Sequence, residues 1–115
     1  MVAVSIIWLN SPLAAGAKNS TPERNQLKIY ISVDMEGIWG VVHTNQCLPD
    51  SPEYQVARKW MTEDVNAVIH GLFEAGATEV VVNDSHGSMR NIIASDLDPR
   101  AELLSGSRSD CFGFN

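Results

Sequence analysis

Basic residues are scarce in this sequence. Eight Lys and Arg stand against fourteen Asp and Glu, the net charge is -6, and no stretch gathers the eight into a run. A field of that sign repels phosphate backbones, so no nucleic acid partner is expected. Long apolar runs are missing too. The stretch from Val2 to Leu9 falls far short of the about 20 apolar residues that cross a bilayer, so no stable membrane span is expected. Cysteine is limited to Cys47 and Cys111, far apart and in no C-x-x-C or zinc-ribbon spacing. Two ordinary thiols are the expectation, because sequence separation alone cannot establish a Cα distance suited to a disulfide between them. With 44% apolar and 19% charged residues the chain is neither disordered nor collagen-like. Its 115 residues allow at most one domain with a modest core.

The first twenty-six residues separate from the rest. Small residues follow the Val2–Leu9 stretch, and Ala15-Gly16-Ala17 matches the A-x-A form of a signal-peptidase site. No Lys or Arg precedes the stretch and Asn10 ends it, which weighs against a leader. Export to the periplasm or beyond is the expectation, with the cytoplasm as the alternative. "KNSTPERNQ" reads as a polar linker, and Asn19-Ser20-Thr21 matches a glycosylation acceptor that matters only in a eukaryotic secretory pathway.

What is present begins at Leu27. "KIYISV" is a short β-prone run, expected as a strand near 28–34. A stripe of Val56, Trp60 or Met61, Val65, Val68, Ile69, Leu72 and Phe73 at three- and four-residue steps predicts an amphipathic helix. Ser51 suits its N-cap, ahead of Pro52 and Glu53, and Gly76 suits its left-handed C′ position. "TEVVVND" predicts a second strand over about 79–83, "SMRNIIASDLD" a short helix, and "AELLSG" the start of a third strand. The fold class is therefore α/β: a βαβ unit of a mostly parallel open sheet with both faces covered, within an incomplete three-layer domain.

Parallel strands joined this way end on one edge of the sheet, where open α/β sheets place their ligand crevice. Asp34 and Glu36 at the first strand end should meet Asn83 to His86 at the second. Two carboxylates two residues apart point to one side if the extended geometry persists. With the imidazole of His86 they make an oxygen and nitrogen set suited to Zn²⁺, Mn²⁺ or Fe, and Asp34 could bridge two ions. Such ions polarise a carbonyl or phosphoryl oxygen and lower the pKa of water, which points to hydrolysis. Plainer roles compete. Asp84 or Ser85 could simply cap the next helix, Gly37 and Gly87 could serve turns needing positive φ, and Trp39 and Trp60 are expected to pack. His70 reads as a surface residue of the helix, and His43 as a loop residue near the crevice without an evident partner.

"SVDMEGIWGVVH", "MTEDVNAVIHGLFEAGATEVVVNDSHGSMRN" and "AELLSG", in this order, resemble the amino-terminal part of the D-aminopeptidase family of zinc metallopeptidases, from about Leu27 to Gly106. The resemblance implies a two-zinc site with Asp34, Glu36 and His86 as ligands. It also implies release of D-amino-acid residues such as D-alanine from short peptides, and a ring-like homo-oligomer. A further metal-binding His, a metal-binding Glu and a catalytic His come later in the family pattern than this sequence extends. The catalytic residues are thus expected outside this chain, which reads as a truncated piece, inactive alone, with an aberrant tail over 107–115. Such a piece would expose a parallel sheet edge and aggregate readily. Two alternatives stand beside this reading. One is a Mg²⁺-dependent phosphatase-like hydrolase, although Glu36 and Gly37 stand where such enzymes carry a second Asp and then Thr or Val. The other is a non-catalytic remnant holding one metal weakly.

Overall fold

The computed structural model describes residues 26–107. The leader-like segment, the Asn19 acceptor, Cys111 and all of the expected tail beyond Ser107 lie outside the described residues. The elements are strand β1 (Lys28–Val33), 3-10 turns at Met35–Gly37 and Thr44–Cys47, helix α1 (Tyr54–Glu74), strand β2 (Glu79–Asp84) and strand β3 (Glu102–Leu104). The sheet has the order β1-β2-β3 with both pairings parallel, Val33 opposite Asp84 and Asn83 opposite Leu104. The α/β class and the strand, helix, strand order match the expectation.

The burial of β1 alternates, with Ile29, Ile31 and Val33 inward, whereas Val80, Val81 and Val82 of β2 are all buried. Among the described residues β2 has a neighbour on each side, whereas β1 is paired with β2 alone. Among the described residues there is one α-helix, so a second helical layer is not part of this region. No described helix is long and apolar enough to cross a membrane.

Helix α1 buries Ala57, Met61, Val65 and Ile69, a stripe at four-residue steps that joins Ile29, Ile31, Val80 and Val82 in one core cluster. Val56 and Val68, expected within that stripe, are instead exposed at 48% and 37%. The buried face runs through Ala57, a small residue that a search for large apolar side chains passes over. Beside it runs a second stripe at the same spacing: Tyr54, Arg58, Thr62 and Asn66. These side chains grip the segment after β2. Tyr54 donates to Asn91 Oδ1, Arg58 Nε to the Asn91 carbonyl, and Thr62 Oγ1 accepts from Ile93 N–H. Asn66 donates to the Asp96 carbonyl and accepts from Asp98 N–H.

That grip explains a correction. The short helix expected in "SMRNIIASDLD" does not form, and the segment runs through turns and bends. Its N–H groups at 91, 92, 93 and 98 are taken by side chains of β2 and α1, so no internal helical ladder is needed to satisfy them. The helix ends also differ from expectation at one terminus. Ser51 sits in a turn ahead of the helix, its Oγ accepting from Glu53 N–H at 3.4 Å, and Glu53 is the residue next to the first helical one. At the other end Gly76 takes φ +103, Gly76 N–H bonds to Phe73 O and Ala77 N–H to Leu72 O. That pair of bonds is a Schellman motif and satisfies the last carbonyls as expected.

Candidate metal centre

Asp34 leaves β1 in extended backbone, and the chain then turns tightly, with Gly37 N–H bonding back to the Asp34 carbonyl at 3.1 Å. The extended geometry assumed for the two carboxylates therefore does not persist. Met35 is fully buried and anchors the turn in the core, which leaves Asp34 and Glu36 on the outside to either side of it. Gly37 lies within the 3-10 turn, and no positive φ is found there, in contrast to Gly87 at φ +50.

At the neighbouring strand end, Ser85 clamps the two strands. Its N–H and its hydroxyl both donate to the Val33 carbonyl, at 2.9 and 2.7 Å, and its oxygen accepts from the Ser32 hydroxyl. His86 follows and swings over the turn. Its Nδ1 lies 3.0 Å from Asp34 Oδ1 and 2.9 Å from Glu36 Oε2, and its Nε2 lies 3.0 Å from the Cys47 carbonyl oxygen. A carbonyl oxygen only accepts, so Nε2 carries the proton. In the neutral ring Nδ1 is then a lone pair facing two carboxylates, an arrangement that calls for a cation between them, either a proton or a metal ion. The three donors lie within 4.8 Å of one another. A histidine that gives its second N–H to a backbone carbonyl while offering the other nitrogen is the orientation metal-bound histidines adopt. One nitrogen and two carboxylate oxygens suit Zn²⁺ and its neighbours better than Mg²⁺ or Ca²⁺.

Electrostatics agree with that geometry. Burial on its own would lower the His86 pKa, but the Cys47 carbonyl and the carboxylates of Asp34 and Glu36 outweigh it, and the pKa is raised. For Asp34, partial burial opposes ionisation, while hydrogen bonding with Glu36 and His86, the His86 charge and the Met35 N–H hold the carboxyl below its usual range. Burial, helped by the nearby Glu36 and Asp34 charges, pushes the Cys47 thiol up. Cys47 is buried with a free thiol, and it contributes its carbonyl to the centre while its sulfur stays outside the donor group.

Asp84, weighed as a second carboxylate at this edge, plays a different part. It is fully buried and accepts from Asn91 N–H at 2.6 Å, Ile92 N–H at 2.8 Å and Asn91 Nδ2 at 2.8 Å. The plainer reading for it was a cap, and it does cap backbone, although of a turn and not of a helix. His43 caps the Thr44–Cys47 turn, accepting from Asn45 N–H, while Gln46 reaches back to Val42 and His43 N–H and donates to the Gly40 carbonyl. His70 is on the surface beside Glu74. Trp39 and Trp60 meet edge to face with ring centroids 5.5 Å apart. A cavity of about 280 Å³ opens beside the centre, lined by Glu36, Val41, Val42, His43, Thr44 and Cys47. The sequence reading missed Tyr54, Gln46, Asn91 and the Cys47 carbonyl. For Tyr54 a signal existed, the polar stripe at four-residue steps. A backbone carbonyl leaves no mark in a sequence.

Comparison with known proteins places these features in context. A profile of the D-aminopeptidase family matches residues 27–112. The D-aminopeptidase of Bacillus subtilis (strain 168) is 44% identical over 80 residues, which cover 70% of this chain and 29% of that protein. The solved structure of the Zn-dependent D-aminopeptidase DppA from Bacillus subtilis, described as a self-compartmentalizing protease, aligns with a TM-score of 0.69 at 43% identity. That alignment covers 70% of this chain and 30% of the structure. The chain thus spans under a third of the length of these two relatives.

Proposed function

The chain belongs to the D-aminopeptidase family, and from that premise we propose that it supplies the amino-terminal half of a zinc centre for hydrolysis of short peptides carrying D-amino acids. The observation that carries this reading is the convergence of Asp34, Glu36 and His86 Nδ1, with Nε2 committed to the Cys47 carbonyl. When bound, zinc supplies Lewis acidity toward a carbonyl oxygen and a lowered pKa for water. The chain's own groups do the rest of the work assigned here. His86 offers Nδ1 with its tautomer fixed, Asp34 and Glu36 offset the charge of the ion, and Val41 and Val42 give the adjoining cavity apolar walls for an uncharged part of a substrate.

Three protein donors do not fill two metal sites, so further ligands and the catalytic groups are assigned to sequence beyond this region. Assembly into a closed oligomer is proposed on the model of the self-compartmentalizing relative. Export is proposed from the leader-like start and is checked by sequencing the amino terminus of the protein recovered from cells.

A chimera tests the main reading: residues 27–106 replace the matched stretch of the Bacillus subtilis enzyme. The expected result is zinc-dependent release of D-alanine from a D-alanyl dipeptide, lost on His86→Ala. A folded, zinc-free and inactive chimera would overturn it, and turnover of a phosphate monoester instead would favour the phosphatase-like alternative.

A further inference from the structure

A buried polar relay reaches the backbone carbonyl of His86, whereas the carboxylate partners meet its ring. The Tyr54 hydroxyl donates to Asn91 Oδ1 at 2.5 Å. Because that oxygen is taken, both Nδ2 hydrogens of Asn91 face the other way, one to Asp84 Oδ1 at 2.8 Å and one to the His86 carbonyl at 2.5 Å. The orientation of the amide is forced at its Nδ2 end, since neither a carboxylate oxygen nor a backbone carbonyl can donate, and the Tyr54 hydroxyl supplies the donor that Oδ1 then needs. Asp84 Oδ2 holds Asn91 N–H, and Arg58 Nε holds the Asn91 carbonyl. Every polar group of Asn91 is thus used, at 1% exposure, and no buried side-chain nitrogen or oxygen among the described residues lacks a partner.

The His86 carbonyl also accepts from Met89 N–H at 2.8 Å, closing a turn in which Met89 sits at φ +59. A left-handed backbone is costly for a side chain such as methionine and persists where the surroundings over-determine it. Met89 is fixed in turn through its own carbonyl, which accepts from Gly106 N–H and from the Ser105 hydroxyl just past β3. The backbone of His86 is therefore gripped by α1, β2 and the end of β3 together, while its ring is gripped by Cys47.

We propose that Tyr54, Asn91 and Asp84 form a positioning relay that sets the backbone of His86 and thereby the aim of its Nδ1 toward a metal held with Asp34 and Glu36. Tyr54 acts through the amide of Asn91, with no contact to the metal donors, and its removal leaves the buried Asn91 Oδ1 without a donor. To regain a partner for that oxygen the amide would have to shift, and with it the Nδ2 bond to the carbonyl that closes the His86 turn. The proposal rests on the zinc reading above for its affinity readout, but its second readout needs no metal.

The test compares Tyr54→Phe with Val65→Ala in the full chain. Val65 is buried in the same helix at the core stripe and belongs to no part of the relay, so Val65→Ala loses stability without reaching His86. Zinc affinity is measured by chelator competition, and the His86 ring by its Nε2–H resonance in the metal-free protein. The expected result is zinc binding weakened about tenfold or more in Tyr54→Phe and unchanged in Val65→Ala. In the metal-free chain the Nε2–H signal should broaden or vanish in Tyr54→Phe alone. Equal zinc affinity in Tyr54→Phe and wild type, or equal losses in both variants, would overturn the relay. If wild type takes up no zinc, the zinc reading fails, and the ring signal alone decides: lost in Tyr54→Phe it upholds the relay, unchanged it refutes it.

Discussion

Asp34 lies just past the end of β1 and Asp84 ends the adjacent parallel strand β2, and their surroundings give them opposite roles. Asp84 is enclosed, and its two oxygens are occupied by the N–H groups of Asn91 and Ile92 and by the Asn91 amide. Asp34 keeps a half-exposed side chain, and its oxygen shares a single imidazole nitrogen with Glu36. The first carboxylate spends its acceptor capacity on the fold. The second keeps capacity for a cation. What separates them is the backbone around them: a tight turn pinned by Met35 carries Asp34 outward, whereas the segment after β2 folds back over Asp84 and wraps it in N–H groups.

The largest effect should come from the enclosed residue. Asp84→Ala takes the acceptor from three backbone N–H groups, those of His86, Asn91 and Ile92, and from one Asn91 amide hydrogen, and should lower the unfolding free energy by about 3 kcal/mol or more in urea titrations. Asp34→Ala in the metal-free chain should change it by less than about 1 kcal/mol, because an exposed ion pair contributes little. A greater loss for Asp34→Ala than for Asp84→Ala would break the contrast.

Metal binding should reverse the order within the exposed set. Glu36→Gln removes a charged donor and should weaken zinc about 100-fold or more by chelator competition, with little change in unfolding of the metal-free chain. Unaltered affinity would remove Glu36 from the centre.

The pH dependence sharpens the same point. Zinc and the proton compete for His86 Nδ1, and the raised His86 pKa means that zinc affinity should begin to fall at a higher pH than for an ordinary histidine as the solution is acidified. In the metal-free chain the sign is opposite. A raised folded-state pKa gives stability that is fully present below the unfolded value and is lost as pH rises through the folded one. His86→Gln should flatten both profiles.

The smallest effect is expected at Asp98, where the hydrogen bonds and charge of Arg100 hold the pKa at about 2. Its contribution is present above the unfolded value and lost as pH falls through about 2, so Asp98→Asn should lower the melting temperature slightly at neutral pH and not at all at the acid limit. A large shift would mean that Asp98 supports the turn segment through more than its surface pair.

Much of this arrangement was legible from side-chain pattern. The β-branched run at Val80–Val82, the glycine at Gly76 and the placement of Asp34, Glu36 and His86 at one sheet edge follow from local rules and from the handedness of a parallel crossover. The segment from Ser88 to Asp98 was not legible, because its apolar spacing fits a helix while its hydrogen bonds are claimed by residues up to 37 positions away, such as Tyr54 for Asn91. The same holds for Asp84. Nothing local distinguishes a carboxylate that will be wrapped by distant N–H groups from one that will stay open, and only the packing of α1 against that segment decides it.

The most direct test of the zinc assignment is to follow the ring nitrogens of His86 by nitrogen-15 spectroscopy while the metal-free full chain is titrated with zinc. The account predicts that Nδ1 shifts on zinc addition while Nε2 keeps its proton and its bond to the Cys47 carbonyl. Zinc uptake with both His86 nitrogens unchanged, or with Nε2 losing its proton, would contradict it.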